Sequence, residues 1–402
     1  MINLKPTLFG YGLTTKAIAK KLGGGCIFFD DKTTEAYKDE NSNYIYPSKD
    51  FDANKSELEV TTPSLPPHHP LIKSAKNLYS EYDYFAKDMP FTVWISGTNG
   101  KTTTTQMLEH LLKRRGAVAG GNIGTPLAEL DPKASIWILE SSSFTLHHTN
   151  IASPNIYLLL PITPDHLDWH GTPEQYEADK LKPLLTMKEG EMALVPKGLN
   201  LPETNAFVVE YDSSEFLADY FSIDSSKIRF KSAFLEDALI ALSVTKVLFD
   251  EVDYDTINAF TLDNHRQEET IDQQDRLWVN DSKATNLDAT IQAIKGYDDR
   301  FIHLIVGGND KGADLTPLFE LLNGKAVQLY TIGANSEKLA TLAKEHNIHF
   351  IACETLENAV NTISKKLTKS EVALLSPAAA SFDQFNSYKH RGEEFFKYIK
   401  NI

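Results

Sequence analysis

Residues 91–105 read FTVWISGTNGKTTTT, and their order decides the fold of the central part of the chain. An apolar, strand-like run, Phe91 to Ile95, enters a turn from Gly97 to Gly100. Lys101 and Thr102 follow, and a helical pattern opens with Met107, Leu108, Leu111 and Leu112. Strand, glycine turn, Lys-Thr and helix is the arrangement with which α/β proteins hold nucleotide phosphates. Small residues let backbone N–H groups approach the phosphate oxygens, lysine adds a point charge, and the threonine hydroxyl ligates Mg²⁺. ATP is therefore the expected ligand. The commoner form of the loop carries a further glycine where Ile95 stands. A plain loop that happens to read Gly-Lys-Thr is the alternative; the flanking strand and helix favour the phosphate reading.

The rest of the chain is ordinary globular protein. Its 402 residues are 42% hydrophobic and 24% charged, enough for about two to four domains with their own cores. Cys26 and Cys353 fit neither a disulfide framework nor a metal pattern, so a reducing cytoplasm is the expected setting. No apolar run approaches the roughly 18 residues of a membrane span, and no signal peptide is expected. A net charge of −15 argues against a broad nucleic-acid surface. It leaves room for small anions held by local lysines and arginines.

Three segments separate on pattern. In residues 1–88 a short apolar run meets Gly10-Tyr11-Gly12, a helix-like stretch continues to Leu22, and a second apolar run, Cys26 to Phe29, ends at Asp30-Asp31-Lys32. This is similar to half of a dinucleotide-binding fold, with Thr15 in place of the third glycine. The Pro-rich stretch from Thr61 to Pro70 reads as a rigid loop. Residues 89–262 begin with the phosphate loop and alternate strand-like runs (136–139, 156–160, 192–195) with helical stretches (174–185, 235–249). Residues 263–402 alternate again, with strands expected at 277–280, 301–306, 328–332, 349–352 and 372–375. Strands alternating with helices predict parallel sheets covered on both faces, hence three α/β domains in series. The first and last are expected to be Rossmann-like and the central one to be a P-loop-type ATPase.

Ligands of such sheets sit beyond the carboxyl ends of the strands. Glu140 ends one strand of the phosphate-loop domain, where a carboxylate suits Mg²⁺; the serines after it also suit a helix N-cap. His166 and Asp168 lie in a turn after the run 156–160, read either as a metal or substrate site or as an ordinary turn. Gly120-Gly121-Asn122-Ile123-Gly124 reads as a loop, with or without a ligand. Asn280 to Asn286, Gly307 to Gly312 and Ser376 to Ser381 end strands of the third domain. Together they suggest an anion-binding rim.

These motifs together resemble the Mur ligase family. The resemblance covers nearly the whole chain and is most specific at GTNGKT (97–102), GGNIGTPL (120–127), DHLDWHGT (165–172), NDSKATN (280–286) and SPAAASFDQF (376–385). The last two favour the branch that adds D-glutamate. The resemblance implies an ATP-dependent ligase of peptidoglycan precursor synthesis, acting on UDP-N-acetylmuramoyl-L-alanine and D-glutamate through an acyl phosphate. It further implies that Gly97, Thr98, Asn99, Gly100, Lys101, Thr102 and Thr103 contact ATP. Thr102 and Glu140 would hold one Mg²⁺, His166 a second, and Lys180, carbamylated in the family, would help orient the metal. By the same carry-over, Leu13, Thr14, Asp30, Asp31 and Lys32 line the UDP site. Asn122 and Ser142 touch the sugar-peptide part. Asp237, Arg266 and Asp281 serve the adenosine, while Lys283, Thr285, Lys311, Ser381, Phe382 and Tyr388 surround D-glutamate. A cationic seat suits a dianionic amino acid.

The family's His-Asn-x-x-Asn pattern is replaced here by Ala233 to Asp237, and its first-domain Ser-Pro-Gly by Thr62-Pro63-Ser64. The rival readings are a sister amide ligase, a folylpolyglutamate synthase, and a nucleotide-driven switch. The UDP-like first domain opposes the folate enzyme, and the third domain's lysine-bearing rim opposes the switch. A monomer is the simplest expectation for the assembly.

Overall fold

The structure is a computed structural model, and it describes residues 5–402. It contains three six-stranded α/β sheets in series along the chain. The first is ordered Tyr37–Lys38, Tyr44–Pro47, Ile27–Asp30, Thr7–Phe9, Glu59–Thr61, Leu78–Tyr79. The second is ordered Phe207–Tyr211, Met192–Pro196, Ile156–Leu159, Phe91–Ser96, Ile136–Glu140, Ala117–Gly121. The third is ordered Glu268–Ile271, Leu277–Asn280, Val372–Leu375, Ile302–Gly307, Val327–Ile332, Phe350–Glu354.

Pairing is parallel except at two places. Tyr37–Lys38 runs antiparallel to Tyr44–Pro47, and Glu268–Ile271 antiparallel to Leu277–Asn280. The first and third sheets each carry one antiparallel edge strand, and the second is parallel throughout, so the expected parallel α/β sheets are present. Both exceptions are hairpin-like additions joined by short turns, which antiparallel pairing permits and parallel pairing does not. One difference concerns the glycine-rich loop at 120–124, whose first two glycines belong to the strand Ala117–Gly121. A Cβ on Gly120 would lie 2.8 Å from Leu130, so the glycine serves close packing of an edge strand.

The chain forms two compact units. One comprises residues up to Arg229 together with Leu235–Phe260, and the other Phe230–Phe234 with Thr261–Ile402. The first unit holds the first two sheets, which share one apolar core running through Phe28, Tyr82, Trp94, Trp137 and Tyr157. In the second unit, residues on alternate faces of the sheet divide between two cores. Val279, Leu304, Leu329 and Leu374 face one, and Trp278, Ile305, Tyr330 and Leu375 the other. Fully buried strands explain why these runs read as continuously apolar. Among the described residues, no helix is long and apolar enough to cross a membrane.

Candidate active site

The strand Phe91–Ser96 lies between Ile156–Leu159 and Ile136–Glu140, so three strand tips converge beside the phosphate loop. Ile95, at the position of the absent glycine, is fully buried in that strand and pairs with Glu140. The turn proper begins at Gly97, which accounts for the shorter motif. Gly97 has φ of +139° and a Cβ there would lie 2.5 Å from Leu160 Cβ. Gly100, at φ +82°, is left-handed and starts the helix Lys101–Leu112. A Cβ there would meet Asp237 Oδ1 at 2.6 Å. Both positions therefore demand glycine for backbone and for space.

Two lysines converge on the carbonyl of Gly97. Lys101 Nζ donates to it at 2.9 Å and to the Thr98 carbonyl at 2.7 Å. Lys180 Nζ donates to it at 2.8 Å from the opposite side of the sequence. Lys180 is 1% exposed, and its ammonium sits over the Tyr176 ring. Burial, reinforced by the charge of Lys101, holds its pKa well below the usual lysine range, with Asp165 and Asp179 opposing the shift. What reads in sequence as a surface charge is one of the most buried side chains of the unit.

Glu140 is 3% exposed. Its Oε1 accepts from Asn122 Nδ2 at 2.7 Å, whereas Oε2 is buried with no hydrogen-bond partner. An orphaned carboxylate oxygen is costly, and a cation is the natural partner for it. Mg²⁺ commonly takes one or two carboxylates and completes its shell with phosphate oxygens and water. Among the described residues no group of three or more His, Cys, Asp or Glu side chains is arranged to hold a metal by itself. Thr102, in the first helical turn, is half-buried, while the hydroxyl of its neighbour Thr103 is buried without a partner.

The other candidates in this unit fall as follows. Thr98 bonds through Oγ1 to the Thr163 carbonyl and to Tyr176 Oη, tying the phosphate loop to the turn that carries His166. Asn99 is half-buried within the loop. His166 is left-handed (φ +53°) and caps the short helix Leu167–His170, with its ring 4.9 Å from that of Phe144. Burial lowers its pKa against the pull of Asp165 and Asp168. Asp237 is buried and accepts from Thr104 Oγ1 at 2.9 Å, bracing the phosphate-loop helix. Ser142 caps the helix Ser143–His148, so the N-cap reading of these serines holds at that position.

At the first sheet, a cleft of about 550 Å³ opens beyond the strand ends, lined by Gly10, Tyr11, Asp30, Asp31, Lys32 and Thr62 among others. Asp30 accepts from the backbone N–H groups of Tyr11 and Lys32, and Asp31 from His69. Leu13 is exposed and Thr14 half-buried at the start of the helix Leu13–Lys21, next to the cleft residue Gly12.

In the second unit, Asp281 is buried, accepts from Ser376 Oγ and the Gln267 N–H, and is pushed up to about 7 by burial. Lys283 lies 3.7 Å from Asp263 and 5.9 Å from the Tyr388 ring centroid. Lys311 is exposed on its turn at φ +52°, Thr285 is exposed, Ser381 is buried, and Phe382 is exposed. Arg266 is half-buried.

Sequence reasoning missed a buried network beside Lys180. Asp179 Oδ2 lies 2.7 Å from His170 Nδ1, and His170 Nε2 lies 3.0 Å from Ser143 Oγ. His147 and Gln175 bond to the other oxygen. Burial raises the Asp179 carboxyl, but the bonds from His147 and His170 outweigh it and hold it at about 2. The Gln175–Asp179 spacing of one helical turn is the only local signal for it.

Two family models match. The Mur ligase middle domain matches residues 95–221, and the Mur ligase glutamate ligase domain matches residues 265–379. A UDP-N-acetylmuramoylalanine--D-glutamate ligase of Campylobacter jejuni is 51% identical over 402 residues, covering 99% of this chain and 100% of its own. One from Helicobacter pylori is 46% identical, covering 98% and 99%. Among solved structures, the MurF ligase of Thermotoga maritima in complex with ADP superposes with a TM-score of 0.60 at 16% identity, over 100% of this chain and 99% of its own. Likeness over the full length, together with both domain models, shows that the chain belongs to the Mur ligase family.

Proposed function

We propose that the protein is an ATP-dependent ligase that joins D-glutamate to UDP-N-acetylmuramoyl-L-alanine in peptidoglycan precursor synthesis. The observation that carries the reading is the convergence of Lys101 and Lys180 on the Gly97 carbonyl, with the orphaned Glu140 carboxylate at the neighbouring strand tip. The relatives named for this reaction, similar to the chain over its whole length, set the choice of substrates.

The reaction divides into two displacements. An oxygen of the substrate carboxylate attacks the γ-phosphorus of ATP, and ADP leaves. The amino group of D-glutamate then attacks the carbonyl carbon, loses a proton, and phosphate departs with the oxygen that the carboxylate supplied. Both partners of the first step are anions, so local positive charge must offset their repulsion. Lys101 supplies one charge beside the phosphate-binding backbone. Mg²⁺, when bound, withdraws charge from the phosphate and carboxylate oxygens; Thr102, Glu140 and His166 are the groups that would hold it.

Lys180 is suited to modification. Burial lowers its pKa and so favours the neutral amine over the ammonium, and the neutral amine is the form that adds to carbon dioxide. The N–C bond forms, a proton is released, and the side chain becomes carboxylate-like. The cleft at the first sheet is of the size that a nucleotide moiety needs, and Lys283 and Lys311 offer cations for the amino acid. The need for ATP and a UDP-linked substrate supports a reaction in the cytoplasm. One chain carries every group named, so a monomer suffices.

The test is phosphate release from ATP with Mg²⁺, UDP-N-acetylmuramoyl-L-alanine and a panel of amino acids. Release that requires D-glutamate is the expected result. Release with L-alanine or a diamino acid instead would contradict the substrate choice, and release without any amino acid would favour a nucleotide-driven switch.

A further inference from the structure

Arg391 is 1% exposed, and the hydrogen bonds of its guanidinium end on two loops of the second unit. Nε donates to Ser282 Oγ at 2.9 Å and Nη2 to the Ser282 carbonyl at 2.8 Å. Nη1 and Nη2 both donate to the Ala379 carbonyl at 3.1 Å. Ser282 Oγ in turn donates to the Tyr388 carbonyl at 2.8 Å, at the start of the helix Tyr388–Lys400. A planar fork of donors thus stitches the Asn280–Asn286 loop, the Ser376–Ser381 loop and that helix's first turn together.

The stitched loops need holding. Ala378 is left-handed at φ +53°, a conformation in which the Cβ of an alanine crowds the backbone. The next residues are tied further: Asn309 and Ala380 exchange backbone hydrogen bonds, which adds the Gly307–Gly312 turn to the assembly. Gly392 packs so closely on His265 that a Cβ would lie 2.3 Å from Nδ1, and its carbonyl accepts from Asn280 Nδ2. The helix turn that presents Arg391 is therefore fixed from both sides.

We propose that Arg391 is a positioning residue for the amino-acid substrate. It fixes the spacing of Lys283 on one loop, Ser381 and Phe382 on the other, and Tyr388 on the helix. The buried guanidinium also leaves a cationic charge beneath loops that are read as receiving a dianion, with the carboxyls of Asp383 and Asp281 near enough to oppose its loss of charge. The proposal rests on the reading of this rim as the D-glutamate seat.

Steady-state kinetics of the full chain with each substrate varied in turn provides the test. Arg391→Lys keeps charge but loses the fork, and is expected to raise KM for D-glutamate at least tenfold. KM for ATP and for the UDP-linked substrate should stay within about twofold. Arg391→Ala should lose D-glutamate saturation, and guanidinium at millimolar concentration should restore part of it. Should Arg391→Ala fail to fold, Ser282→Ala, which removes one end of the fork, must raise the same KM by a smaller factor. An unchanged D-glutamate KM in Arg391→Lys, or an equal rise in all three KM values, would overturn the proposal. A wild-type chain that ignores D-glutamate would instead bring down the functional reading and this proposal with it.

Discussion

Replacing Gly97 by alanine tests the architecture of the phosphate loop at its tightest point. Two costs add. The backbone at φ +139° lies in a region nearly confined to glycine, a strain of about 1–3 kcal/mol. The new Cβ would also stand 2.5 Å from Leu160 Cβ and 3.0 Å from the Leu160 backbone, and overpacking of that kind costs about 1–3 kcal/mol. A combined loss of about 2–6 kcal/mol lowers Tm by about 4–24 °C at 2–4 °C per kcal/mol for a unit of this size. Gly198→Ala is the control. Its φ is +90°, but nothing lies within 4 Å of the added Cβ, so only the backbone cost applies. Thermal unfolding of both variants, with ADP added and without it, separates the terms. Gly97→Ala should fall well below Gly198→Ala in Tm and lose protection by ADP, because the carbonyl that Lys101 and Lys180 share is displaced. Equal Tm values with normal ADP protection would refute the reasoning.

Glu140→Gln should leave Tm nearly unchanged, since the orphaned oxygen bonds to nothing in the protein, yet lower kcat by roughly 10²–10³-fold; normal turnover would remove Glu140 from the metal site. Lys180→Ala should nearly abolish phosphate release, and short carboxylic acids should restore part of it by standing in for the carbamate; an unimpaired variant would exclude the role. Asp281 is predicted to make stability fall as pH rises. Its folded pKa is raised from 3.8 to about 7, so the folded state binds the extra proton and the unfolded state does not between those values. Asp281→Asn should flatten that slope between about pH 4 and 7 in urea unfolding, and an unaltered slope would show that the carboxyl is not buried as described.

Much of the fold is legible because its signals are local. Buried parallel strands are runs of apolar residues whatever their neighbours, and Leu277–Asn280 and Val372–Leu375 stand where their apolar runs place them. The phosphate loop is legible because Gly97, Gly100 and Lys101 act through backbone conformation and chain order. Short edge strands such as Tyr37–Lys38 and Leu78–Tyr79 carry too few residues to show a period. Lys180 has the look of an exposed helix residue, and its burial depends on Tyr176 one turn earlier and on the Gly97 carbonyl more than eighty positions away. Asp179 with His170, and Arg391 with Ser282 and Ala379, are likewise made by tertiary contact. Nothing within a few residues of Arg391 distinguishes it from a surface arginine.

The central claim is that this site activates a carboxylate by phosphorylating it. The direct measurement uses UDP-N-acetylmuramoyl-L-alanine labelled with ¹⁸O in its terminal carboxylate, ATP and D-glutamate, followed by mass analysis of the inorganic phosphate released. The account predicts that each phosphate carries one oxygen atom from the labelled carboxylate. Phosphate free of label would contradict it.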